Sequence, residues 1–206
     1  MIKDNKLFGL NKWHLLGYVA LSLMLPVTTY AREASIDPAC QKYASKEELH
    51  LFILWENARK KQDEILQDLL SQPNLSVLEC MDITWADDQV TQNFTWFYGF
   101  PMSMGEYKKE TCGGGDFLVI SVIDRNPVYG YGITGMGKDC VNVNIFNLKH
   151  KYRDMLGPYN VHATDSPAEV NRNLKQLFNK TYAEYLAGAP RQWDGRISHF
   201  CSQIKW

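Results

Sequence analysis

The chain reads as an α/β (α+β) protein with a ferredoxin-like, split βαβ core, one small sheet with helices packed on one face. Three observations predict it. The runs Leu49–Trp55 (LHLFILW) and Asp116–Asp124 (DFLVISVID) are short, apolar and bounded by polar residues, the pattern of buried strands. Residues 56–71, 141–157 and 166–178 repeat their apolar residues at helical spacing. Taken along the chain, the segments alternate as β-α-β-α-β-α-β-α, with 45% hydrophobic residues, enough for one ordinary globular core.

The opening is zoned. Lys3, Lys6 and Lys12 precede an apolar stretch from Leu15 to Leu25, and Thr29-Tyr30-Ala31 offers small residues at −3 and −1. That is the pattern of a signal peptide over residues 1–31, cleaved after Ala31, because the apolar stretch is far shorter than the roughly 20 residues that span a bilayer. The expected location is periplasmic or secreted. Of the 22 basic and 23 acidic residues, three lysines and one aspartate fall in that segment, so the mature chain is acidic by three charges. The charges are scattered, and neither nucleic acid nor a membrane surface is indicated as a partner.

Residues 32–48 form a polar lead-in, and residues 49–180 the α/β domain. Leu49–Trp55 is its first strand. Over 56–71, Ala58, Ile65, Leu66, Leu69 and Leu70 fall on one helical face opposite Arg59, Lys60, Lys61, Asp63 and Glu64, until Pro73-Asn74 stops the helix. Leu75–Trp85 reads as a strand, Asp87–Tyr98 as a short aromatic helix, and Gly99–Gly115 as a loop. Asp116–Asp124 is the next strand, closed by Arg125-Asn126-Pro127. Val141, Ile145, Phe146, Leu148, Tyr152 and Met155 mark a helix ending at Gly157-Pro158. A brief strand, Tyr159–Ala163, follows. Ser166-Pro167-Ala168-Glu169 then forms a capping box, with Ser at N-cap, Pro at N1 and Glu at N3, and opens a helix that turns Val170, Leu174, Leu177 and Phe178 inward. Residues 181–206 are an aromatic C-terminal extension of the same domain.

All five cysteines follow the apolar stretch, and an oxidising compartment drives such cysteines toward disulfides. Cys80 lies in an apolar strand pattern and is the one expected to stay unpaired. The expected pairs are Cys40–Cys201 and Cys112–Cys140. There is no CxxC or Cys/His set at zinc spacing, so neither a metal nor another cofactor is proposed.

Two glycine-rich segments carry motifs. Gly130 to Asp139 contains a literal GxGxxG and a GxxxxGK. The dinucleotide fingerprint should follow its strand directly, whereas Asp124 and Gly130 are well separated, and Asp139 stands where a P-loop needs Ser or Thr. The glycines are read as turn-formers and Asp139 as a cap on the next helix. Cys112-Gly113-Gly114-Gly115 reads as a turn whose backbone amides form an anion nest at most.

The most informative segment is Asn160-Val161-His162-Ala163-Thr164-Asp165-Ser166-Pro167. It sets a histidine at a strand end, just ahead of a capped helix whose N-terminal amides attract anions. Here the chain resembles the nucleoside diphosphate kinase family, whose phosphoryl-accepting histidine lies in N-x-x-H-(G/A)-S-D-S. The match is H-A-T-D-S-P, with the asparagine one residue closer. The resemblance extends over 49–180 in the order of elements, in Phe97-Tyr98 where the family has an aromatic near its substrate, and in Arg153 four residues before Gly157. It implies His162 as phosphoryl acceptor and Arg153 as a phosphate clamp. It also implies Tyr98 lining the site, with Asn160, Thr164 and Asp165 as polar neighbours of the ligand. The chain departs from the family where I-K-P-D becomes Trp55-Glu56-Asn57, and between Gly157 and His162, where a threonine and a second arginine have no room. The expected function is binding of an anionic or phosphorylated ligand, or of a partner protein, at the His162 site. Phosphotransfer or phosphate-ester hydrolysis through His162, and a purely structural disulfide-held protein, are the alternatives.

Overall fold

A computed structural model of the chain describes residues 33–99, 101–135 and 137–201. The expected signal peptide, residues 1–31, lies outside the described residues. In chain order the elements are β1 (Ser35–Ile36), a 3₁₀ turn (Gln41–Tyr43), β2 (Glu48–Leu54), a second 3₁₀ turn (Glu56–Lys61), α1 (Gln62–Ser71), β3 (Leu75–Thr84), α2 (Val90–Tyr98) and α3 (Met102–Cys112). They continue with β4 (Phe117–Asp124), β5 (Tyr129–Thr134), β6 (Gly137–Asn142), α4 (Val143–Leu156), β7 (Val161–Ala163), α5 (Pro167–Phe178), α6 (Tyr182–Gly188) and β8 (Ile197–Cys201).

The main sheet has the order β7-β2-β4-β3-β8. β2 runs antiparallel to both β4 and β7, β3 antiparallel to β4, and β8 parallel to β3. Counting β2, β3, β4 and β7 as first to fourth, the spatial order is fourth-first-third-second, with α1 and α4 as the crossover helices. That is the ferredoxin-like split βαβ arrangement.

The crossover helices cover one face, where Phe52, Leu54, Leu118, Ile120 and Val122 pack on Ile65 and Leu69 of α1 and on Ile145 and Tyr152 of α4. Helices were expected on this face alone, but the opposite face is covered as well. Leu51, Ile53, Trp55, Phe117 and Val119 meet Phe94 and Phe97 of α2, Val170, Leu174 and Leu177 of α5, and Tyr185 of α6. The reason is visible in β2 and β4, which are buried at every position. A strand apolar on both sides gains roughly 1.5–3 kcal/mol for each large side chain removed from water, and this requires a layer on each face.

Three stretches differ from expectation. Residues 102–112 form a helix where a loop was expected. This helix has no apolar stripe for periodicity to detect, and only Gly105, Lys108 and Cys112 are buried. Gly105 permits its close crossing of α2, since a Cβ there would meet Thr95 Oγ1 at 2.2 Å. The Gly130–Asp139 motifs belong to an antiparallel hairpin, with Tyr131 opposite Cys140 and Thr134 opposite Gly137. Neither a nucleotide loop nor a cap forms there, and the cap of α4 is Asn142, whose side chain accepts from the Ile145 amide. In the tail, Thr181 and Glu184 make a reciprocal capping box that opens α6.

The disulfide pairing is corrected. Cys40 is bonded to Cys140, with Cα atoms 5.6 Å apart. The lead-in lies along the hairpin: Ser35 of β1 pairs with Tyr131, and the Gln41 side chain accepts from the Tyr129 amide. That register sets Cys40 beside the strand that carries Cys140, so neither Cys40–Cys201 nor Cys112–Cys140 forms. Cys112 is a buried free thiol at the end of α3, and Cys80 is buried and free as expected.

Candidate functional site

His162 is delivered by β7, whose three residues pair with β2 so that His162 stands opposite Ile53. Four residues later α5 begins on Ser166, which accepts from the Glu169 amide, with Pro167 in the first turn. The Glu169 carboxylate returns to the amide of Asp165 at 3.1 Å, one residue ahead of the expected partner.

The imidazole is 5% exposed. Its Nε2 lies 2.9 Å from Asn173 Oδ1, and Phe97 and Tyr98 meet the ring edge-on at 5.4 and 5.6 Å. Since the Asn173 amide donates to Gln176 Oε1, its carbonyl oxygen faces the ring. Nε2 therefore carries the hydrogen and Nδ1 the lone pair. Burial, followed by the charges of Lys149 and Arg153, holds the His162 pKa well below 6.5. The ring is neutral at physiological pH.

Arg153 comes from the last turn of α4 and donates through Nε to the Val161 carbonyl at 2.8 Å. Burial lowers its pKa, while Tyr98, Asp165 and Glu169 favour its charge. Tyr98 ends α2, its hydroxyl accepting from Trp55 Nε1 at 3.1 Å, and burial raises its pKa. His162, Arg153 and Tyr98, predicted from three separate stretches, therefore converge. The other expected neighbours divide. Asp165 forms a buried ion pair with Lys149, and burial pushes its carboxyl upward. Thr164 accepts from the Leu51 amide through Oγ1 and from His50 through its carbonyl, and Asn160 spends its side-chain amide on the Leu156 carbonyl. Both act as structural joints.

The site also contains groups that sequence reasoning missed. Lys149 sits one helical turn before Arg153, a spacing that could have flagged it. Asn173 lies among the inward positions of α5. Lys108 and Cys112 come from α3 and meet at the Tyr159 carbonyl, with Nζ at 2.6 Å and Sγ at 3.0 Å. The glycine nest after Cys112 is filled by the protein itself, as the Gly115 amide donates to Glu56 Oε2 at 2.7 Å.

A second buried polar cluster lies at the other end of β2. Glu48 accepts from Ser45, from Tyr129 Oη at 2.9 Å and from Asn142 Nδ2 at 3.3 Å, with His50 Nε2 at 3.3 Å. His50 donates from Nδ1 to the Thr164 carbonyl at 2.7 Å. Burial alone would raise the Glu48 pKa, but hydrogen bonds from His50, Ser45, Tyr129 and Asn142 overcome it and hold the carboxyl at about 2.

No family model matches the chain, and no curated protein matches it. Among solved structures, it is similar to a nucleoside diphosphate kinase from Encephalitozoon cuniculi in a cubic, apo crystal form. The identity is 11%, the match covers 66% of this chain and 90% of that one, and the TM-score is 0.40.

Proposed function

We propose that the chain is exported and that its His162 site binds an anionic or phosphorylated ligand, or a partner presenting such a group. The observation that carries this reading is the convergence of His162, Arg153 and Tyr98 from β7, α4 and α2, with the Arg153 charge acting on both other groups. A neutral imidazole beside a guanidinium, close to the start of α5, suits recognition of oxyanions. The Cys40–Cys140 disulfide suits an oxidising compartment. Calorimetry of the purified protein against inorganic phosphate and ADP tests the binding. Saturable heat that Arg153→Gln removes is the expected result, and no heat from either compound overturns the reading. Mass spectrometry of the exported chain should find Arg32 at its N-terminus.

One observation favours an enzyme as the second reading: Nδ1 of His162 has no hydrogen-bond partner among the described residues. Its lone pair could attack phosphorus, forming an N–P bond as the bond to the leaving oxygen breaks. Water would then restore the imidazole and release phosphate. Incubation with labelled nucleotides followed by phosphohistidine trapping separates the two. Label on the wild type and none on His162→Ala selects the enzyme, whereas binding without label selects the binder.

A further inference from the structure

Lys108 is a buried ammonium without a carboxylate. It is 5% exposed and belongs to no ion pair among the described residues. The charged or titrating groups acting on it are Cys112 on its own helix and Arg153 on α4. Its other surroundings are the Tyr159 carbonyl and three aromatic rings, Tyr98 at 4.8 Å, Tyr159 at 5.4 Å and Trp55 at 6.0 Å. Cation–π contact and one carbonyl only partly replace the water an ammonium loses on burial. The carboxylates of the site are spent elsewhere: Asp165 pairs with Lys149, and Glu169 reaches Arg172 at 3.3 Å and stands 3.8 Å from His162 Nε2. A buried positive charge with no carboxylate of its own is a field already arranged for an anion.

We propose that Lys108 is an anion-binding residue of the His162 site, exchanging the Tyr159 carbonyl for an oxygen of a ligand phosphate group whose other oxygens are taken by Arg153. This rests on the anion-binding reading above and adds a residue from α3 to it. An ammonium and a planar guanidinium approaching from two helices match a tetrahedral group with several oxygens better than a planar carboxylate. α3 is suited to yield its lysine because little apolar surface holds it down: Met102, Met104 and Tyr107 are exposed, and Lys108 and Cys112 are its buried side chains besides Gly105.

The test is titration of the full chain with inorganic phosphate and with ADP from pH 7 to pH 9.5. Lys108→Met should weaken binding at least about tenfold at pH 7, and Lys108→Arg should restore part of it. Burial brings the Lys108 pKa from 10.5 to about 8, so its charge in the free protein is lost as pH rises through that value, and wild-type affinity should fall across the range. Neutral His162 does not change over this interval, and the ligand's own last phosphate ionisation, at about pH 6 to 7, cancels when wild type is read against Lys108→Arg, whose charge stays. If Lys108→Met fails to fold, that comparison decides. A wild-type profile parallel to that of Lys108→Arg, or binding unchanged in Lys108→Met, overturns the role of Lys108 and leaves the anion-binding reading intact. No binding by the wild type overturns both.

Discussion

Two buried histidines sit on neighbouring strands, and their surroundings are opposite. His50 on β2 is 0% exposed, with one ring nitrogen on the Thr164 carbonyl and the other facing Glu48 and Asn142. Asp124, also 0% exposed, accepts from both Asn142 and Asn144. Every polar group named there has a partner, and the Cys40–Cys140 disulfide pins the adjoining lead-in to the hairpin. His162 on β7 has one engaged nitrogen, with the charges of Lys149 and Arg153 acting on it and the Glu169 carboxylate 3.8 Å from Nε2. A satisfied network specifies and rigidifies a fold, while an unbalanced one is sustained by the rest of the structure and is where a ligand has something to gain.

The comparison can be broken most severely at Glu48. Glu48→Ala strands the buried Tyr129 hydroxyl, leaves His50 without its carboxylate and removes one acceptor of Asn142, and should cost on the order of 3–5 kcal/mol in urea unfolding. An effect under about 1 kcal/mol would mean the network contributes little. Cys40→Ser opens a disulfide spanning 100 residues and should cost about 2–5 kcal/mol while leaving phosphate binding at His162 unchanged.

The pH dependence sharpens the contrast. Glu48 ionises at about 2 when folded against an ordinary 4.5, so its contribution is complete above 4.5 and is lost as pH falls toward 2. The loss is on the order of 3 kcal/mol, and it should be missing from the acid limb of Glu48→Gln. His162 also weakens the fold in acid, since the unfolded chain binds a proton below 6.5 that the buried ring refuses. Lys108 works at the alkaline end. Its folded pKa lies below its unfolded one, so stability rises with pH between about 8 and 10.5. Cys80, raised by burial to about 12, opposes this above 9, so the Lys108 slope is read as the difference between wild type and Lys108→Met. The smallest effect is expected at Arg153. Arg153→Gln loses one hydrogen bond to Val161 and should cost about 1 kcal/mol of stability, yet it should remove anion binding. A larger loss of stability with binding retained would make Arg153 a structural residue.

Much of the core was legible from local pattern. The apolar runs of β2 and β4, the periodicity of α1 and α4 and the capped entry to α5 each depend on residues a few positions apart. His162, Arg153 and Tyr98 were named from the family resemblance rather than from local pattern, and that they lie near one another depended on the sheet order. Cys80 was readable because an apolar strand places its cysteine inside.

The remainder depended on contacts between distant segments, which local spacing does not encode. α3 has no stripe to announce it and is held by Gly105 against α2 and by two polar side chains on Tyr159. Gly130 looked like part of a loop, but its missing Cβ makes room for the Ser35 carbonyl, which would lie 1.7 Å from one. That close approach lays the lead-in along the hairpin and selects Cys140 for Cys40. Sequence alone thus determined β2, β4, α1, α4 and α5, because periodicity and caps are short-range. Only the tertiary structure decided which cysteine meets Cys40 and that a lysine from α3 lies over the Tyr98 ring, because both follow from how separately folded elements pack.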